Sequence, residues 1–143
     1  MKIEVGKYAG FCRGVKEAVN KTFSVSRESR ESIYTDGELI HNPQTLKLLE
    51  SCGVQVFQDG APMEQIQGKT VIIRAHGVSP ERRRLLKRSA KQIKNYTCRD
   101  VARVQSSIKK WSGKGYSIVI FGKKSHPEVV GLMGYARDGY VIY

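Results

Sequence analysis

Long apolar runs, cysteine, histidine and acid are all scarce in this chain. No stretch approaches the ~18 consecutive apolar residues of a membrane-spanning helix, so no membrane association is expected. The start, Met1-Lys2-Ile3-Glu4-Val5, meets an acid too early for a secretory signal. Three cysteines, an odd number without secretory context, argue against a disulfide framework. They favour a reducing compartment, with the cytoplasm as the expected location. Thirteen acids stand against 25 lysines and arginines, which gives a net charge of +12 and a pI near 9.8. Between Arg74 and Lys94 eight bases face one acid, Glu81. A solvated helix face accounts for such a surplus, and so does a polyanionic ligand, an acidic protein or a nucleic acid. Charge alone does not choose among them.

What is present is a regular alternation of strand-like and helix-like segments. Strands are expected at Lys2 to Tyr8, within Ser32 to Ile40, at Val54 to Phe57, Thr70 to Ala75, Ile93 to Thr97, Tyr116 to Phe121 and Tyr140 to Tyr143. Between them lie helical stripes. Val15, Ala18, Val19, Thr22 and Phe23 make the first. Thr45, Leu48, Leu49 and Cys52 make the second, opened by Asn42-Pro43 and closed by Gly53. A third follows Ser79-Pro80-Glu81, with Leu86, Ala90 and Ile93 inward. A fourth carries Val101, Val104, Ile108 and Trp111, and a short fifth runs through Val129, Val130 and Met133. This pattern predicts an α/β fold of parallel sheets flanked by helices. A boundary near Asn95 to Cys98 divides it into one complete domain, 1–96, with an N-terminal strand, and the start of a second, 97–143. That remnant is smaller than an independent core requires, and the chain is expected to be incomplete.

Chemistry gathers at equivalent places. His41, His76 and His126 each follow an apolar run and precede a turn: His41-Asn42-Pro43, His76-Gly77 and His126-Pro127-Glu128. In an open parallel sheet such turns face one crevice at the carboxyl ends of the strands. Imidazoles there suit donors to a phosphate or diphosphate, although a strand-end histidine also serves merely to bond loop backbone. Cys12, in Gly10-Phe11-Cys12-Arg13-Gly14-Val15, and Cys98, in Thr97-Cys98-Arg99, both fall at a helix start beside an arginine. That setting favours thiolate and hence metal ligation, though 85 intervening residues give no local spacing signature and buried cysteines also pack inertly. Cys52, on an apolar stripe, is expected in the core. Glu128 at a helix start is a candidate general acid, or simply an acid complementing the helix dipole.

These motifs, Gly10-Phe11-Cys12-x-Gly14-Val15, His41-Asn42, Ala75-His76-Gly77, Thr97-Cys98 and His126-Pro127-Glu128-Val129-x-Gly131, occur in the order of one family. Together they resemble 4-hydroxy-3-methylbut-2-enyl diphosphate reductase, the LytB/IspH family, in its N-terminal half only. The resemblance implies an iron–sulfur oxidoreductase of the non-mevalonate isoprenoid pathway. Its reaction is the two-electron reductive dehydroxylation of that diphosphate to isopentenyl and dimethylallyl diphosphate. It implies Cys12 and Cys98 as metal ligands of a 4Fe-4S cluster. The third cysteine ligand is then absent from this chain, because Cys52 matches it neither in position nor in setting. Glu128 would be the catalytic proton donor, and His41, His76 and His126 would bind substrate. Reduced ferredoxin or flavodoxin is the implied electron donor. The fold implied is one complete domain of a pseudo-threefold trefoil plus part of a second. Arg99 departs from the family pattern, standing where proline usually follows the second cysteine. Two rivals stay open on the residues alone, a basic nucleic-acid-binding module and a non-redox phosphate-binding α/β module. The first is disfavoured for want of interleaved exposed aromatics.

Overall fold

Strands that are apolar on both faces need cover above and below, and in this chain the intervening helices provide it. The computed structural model describes residues 1–7, 9–29 and 31–143. Helix α1 (Arg13–Glu28) leads into β1 (Ile33–Asp36), α2 (Pro43–Ser51) and β2 (Val54–Phe57). A short 3-10 turn (Met63–Ile66) precedes β3 (Thr70–Ile73), α3 (Pro80–Ser89) and β4 (Gln92–Asn95). Then come α4 (Arg99–Gly113), β5 (Ile118–Phe121), α5 (Pro127–Met133) and β6 (Gly139–Ile142).

The first four strands form one parallel sheet in the order β2-β1-β3-β4, and β5 and β6 form a second parallel pair. Side-chain alternation splits the larger sheet's core in two. Ile33, Val54 and Ile72 join Ala18, Val19 and Leu49 on the face covered by α1 and α2. Tyr34, Phe57, Val71 and Ile73 join Ile66 and Leu86 on the face covered by α3 and the 3-10 turn. From β1 the chain crosses to one side to make β2 and to the other to make β3. The switch point therefore lies between the carboxyl ends of β1 and β3, where open α/β sheets hold their ligands.

Proline sets three helix starts. Pro43, Pro80 and Pro127 each occupy the first helical position, where a missing N–H costs nothing. Asn42 accepts from the Thr45 N–H at 2.9 Å and Ser79 from that of Arg82 at 3.1 Å. At the end of β1, Asp36 is 1% exposed and receives both Nε (3.0 Å) and a terminal guanidinium nitrogen (2.6 Å) of Arg82. The Arg82 guanidinium also lies 5.2 Å from the centre of the Phe57 ring. This ion pair clamps α3 onto the sheet.

Four expectations need correction. No strand forms at 2–7, where Ile3 and Val5 are exposed and find no ladder to join; Tyr8 lies outside the described residues. Cys52 is exposed at the C-cap of α2, because Leu49 takes the inward position and the helix unwinds directly after it. Ala90 and Ile93 do not extend α3, which ends at Ser89; Ile93 belongs to β4. On α4 the inward stripe is Val101, Gln105, Ile108 and Ser112, while Val104 and Trp111 face solvent. Two polar side chains thus sit where apolar ones were expected.

The energetic ranking is testable. Asp36→Ala leaves the Arg82 charge without its partner, and such a loss costs about 3 kcal/mol or more when the pair is buried. Partial hydration of Arg82 holds the effect near that lower end. The exposed Glu31–Lys91 pair, 3.7 Å apart, should matter by less than about 0.5 kcal/mol. Urea denaturation of Asp36→Ala and Glu31→Ala checks the order, and equal losses would refute it.

Candidate functional site

Three turns deliver three imidazoles to one place. His41 arrives from the loop after β1, His76 from the turn after β3, and His126 as the N-cap of α5. Ring centres are 4.7 Å apart for His41 and His76, 5.8 Å for His41 and His126, and 5.7 Å for His76 and His126. The predicted convergence is therefore observed, at the switch point of the larger sheet.

Each ring has a different electrostatic setting. His126 Nδ1 accepts the Glu128 backbone N–H at 3.2 Å, so a neutral ring carries its proton on Nε2, free to donate. His41 Nδ1 lies 3.4 Å from the Glu38 carboxylate. His76 Nδ1 is buried and has no hydrogen-bond partner among the described residues. Burial first, then the neighbouring His41, Arg74 and His126, push the His76 pKa down to about 4. Near neutral pH this ring is uncharged. Arg74, two residues earlier, also keeps its Nε buried and unpaired, while its guanidinium lies over Gly37 where no Cβ would fit. Buried donors without acceptors are costly, and an anion among these rings would satisfy them.

The two thiols belong to the same neighbourhood. Cys12 and Cys98 are the N-caps of α1 and α4, and neither spends its side chain on a capping hydrogen bond. The Cys98 N–H donates to Ala75 O at 2.9 Å, which ties this helix start to the residue before His76. A Cβ added at Gly14 would meet Cys98 Sγ at 2.5 Å, so the first turn of α1 rests on the second thiol. Arg99 reaches across to Glu17 of α1 at 3.7 Å. Soft thiol donors at two helix N-termini fit a thiolate-ligated metal or cluster in kind. In number they fall short: among the described residues no three His, Cys, Asp or Glu side chains are grouped to hold a metal ion. Glu128, half-buried in the first turn of α5, makes no side-chain hydrogen bond or ion pair among the described residues.

Sequence reasoning missed Arg74 and Gln105 and took Gly77 only as a turn signal. Gly77 has φ +70°, and a Cβ there would meet Gln105 Nε2 at 2.5 Å and Thr97 Cγ2 at 2.9 Å. Gln105 Nε2 is itself buried and unpartnered. Its signal was available, as a polar residue four positions after Val101 on an inward stripe.

Two outcomes follow from this geometry. Alanine for glycine within a helix ordinarily stabilises by up to about 1 kcal/mol. Gly113→Ala, with open space around the new methyl, should follow that rule, whereas Gly14→Ala should lower the melting temperature. A stabilised Gly14→Ala would contradict the close approach to Cys98. For His76 the folded pKa lies below the unfolded value of 6.5, so the unfolded chain binds the extra proton. Its contribution to stability is complete above about pH 6.5 and is lost as pH falls toward 4. Denaturation midpoints over that window should fall less steeply in His76→Gln, and an identical slope would remove His76 as the source.

The family model described as LytB protein matches residues 3–143. A 4-hydroxy-3-methylbut-2-enyl diphosphate reductase from Opitutus terrae is 39% identical over 151 residues, covering 99% of this chain and 52% of that protein. One from Aquifex aeolicus is also 39% identical, over 94% of this chain and 46% of its own length. The solved structure of an (E)-4-hydroxy-3-methyl-but-2-enyl diphosphate reductase, described as the terminal enzyme of the non-mevalonate pathway, superposes with a TM-score of 0.84 at 37% identity. It is matched over 99% of this chain and 50% of that one. The Plasmodium falciparum E-1-hydroxy-2-methyl-but-2-enyl-4-diphosphate reductase gives 0.87 at 27% identity, over 95% of this chain and 42% of that one. The chain thus spans about half the length of the curated relatives it matches. Across that span, in sequence and in fold, it belongs to the LytB family.

Proposed function

We propose that this chain forms one wall of a reductase site acting on 4-hydroxy-3-methylbut-2-enyl diphosphate. The observation that carries the reading is the packing of His41, His76 and His126 within 5.8 Å of one another, with Cys98 bonded through its backbone to the residue before His76. The names of the relatives supply the substrate class. On this reading the domain boundary falls at 96/97, between β4 of the larger sheet and the helix that leads to the smaller one.

The histidines bind and orient the diphosphate. His126 offers Nε2–H, since its Nδ1 is engaged by backbone. Arg74 offers a buried donor and His76 a buried ring nitrogen, both without a partner among the described residues. His41, with its Nδ1 3.4 Å from the Glu38 carboxylate, forms the outer side of the cluster. Glu128, free of other partners, holds the proton needed when the substrate hydroxyl leaves as water. Cys12 and Cys98 would be two ligands of a 4Fe-4S cluster, with the third cysteine from outside these 143 residues. Such a cluster, when bound, supplies electrons and a Lewis-acidic iron. The surrounding positive charge suits both a diphosphate and an acidic ferredoxin or flavodoxin as donor.

Two measurements test the reading. Titration of the 143-residue chain with the diphosphate substrate, followed by histidine NMR, should raise the pKa of His76 and perturb His41 and His126. Silence of all three rings at millimolar substrate would refute the assignment. Anaerobic reconstitution with iron and sulfide should yield little stable cluster from two thiols. Stoichiometric iron and sulfide, lost in Cys12→Ser, would instead mean that a second copy completes the ligand set.

A further inference from the structure

Away from the histidines, a groove of about 690 Å³ opens between α3, α4 and the segment after α5. Its cations come from all three. Arg83, Arg84 and Lys87 project from α3, Lys109 from α4, and Arg137 from the loop before β6. Among the described residues no carboxylate lines it, and none of the five is paired in an ion bridge. Five like charges around one groove, all solvent-exposed, make a positive field that an anion would offset.

The walls of the groove are held in place. Arg137 donates its backbone N–H to Ser112 Oγ at 2.7 Å, and Ser112 is buried. Gly134, at the end of α5, presses on Ser79 and Pro80 at the start of α3 so closely that no Cβ would fit. Tyr135 and Pro80 add apolar lining. The groove is also remote from the thiols. Lys109 stands ten residues beyond Arg99, about 15 Å along the α4 axis from the Cys98 end.

We propose that this groove is a second anion site, taking a small molecule that carries a condensed phosphate chain. The volume suits a ligand of that size, and guanidinium groups from two elements can grip adjacent phosphates with charge-assisted hydrogen bonds. A nucleic-acid strand fits less well. Trp111, next to Ser112 of the groove wall, already has Lys110 and Lys114 about 5 Å from its ring centre and Tyr116 in a T-shaped contact with it. Tyr135, half-buried, is the one aromatic in the lining, whereas a strand needs successive rings to stack its bases on.

The chain's single tryptophan makes the site observable, because Trp111 adjoins Ser112 and Gly113 in the groove wall. Calorimetry with inorganic triphosphate in 150 mM salt should show saturable binding, accompanied by a change in Trp111 emission. Binding should weaken at least about tenfold in the double variant Arg84→Ala, Lys109→Ala, whose exposed side chains are not needed for folding. It should persist in His41→Ala, which separates this site from the histidine cluster. A nucleoside triphosphate that binds more tightly than triphosphate would extend the site to a base, and equal affinity would confine it to the phosphates. Unchanged affinity in the double variant, loss in His41→Ala, or tighter binding of a short oligoribonucleotide at the same salt would each overturn the proposal.

Discussion

The turn that leaves β3 is the point from which the site is hung. Over Ala75, His76 and Gly77 the chain reverses with a left-handed glycine, closed by the Gly77 N–H on Arg74 O at 3.0 Å. That tight backbone admits neighbours from several directions. Cys98 bonds to Ala75 O, Thr97 and Gln105 fill the space beside Gly77, and Gly131 of α5 comes within reach of Gly77 O. Since Gly14 rests on Cys98, α1 is located through the same turn. The positions of His76, of both thiols and of the helix that His126 caps therefore trace back to one stretch of backbone.

Its reactivity follows from what surrounds it. An imidazole buried beside two others and an arginine cannot keep a proton, so His76 enters the site neutral. Buried nitrogens on His76, Arg74 and Gln105 remain without partners among the described residues. Such unsatisfied groups are tolerated where they are completed by something else, and they concentrate at functional sites. The protein stores polarity where an anionic guest can use it.

Much of this was legible in the sequence because it depends on local signals. A histidine followed by proline or glycine after an apolar run marks a strand end, and parallel strands bring such ends to one edge. That reasoning reached His41, His76 and His126, whose rings do meet, and it placed Cys12 and Cys98 at helix starts. It failed where position depends on distant partners. An apolar run at 2–7 has strand propensity but finds no ladder, and Cys52 lies just past the end of α2, which leaves the inward place to Leu49. Gln105 and Ser112 are buried for reasons that lie at Gly77 and Arg137, far along the chain. The basic groove was visible only as excess charge, since Arg84 and Lys109 become neighbours only through packing.

The β5–β6 pair carries a consequence of its own. Two parallel strands make a ladder that is marginal in isolation, and here both outer edges are open among the described residues. Val119, Phe121, Tyr140 and Ile142 are exposed on it, Phe121 at 80%. Unpaired backbone beside apolar side chains recruits further strands from any chain that offers them. Any further strand added to this sheet would pair along these edges.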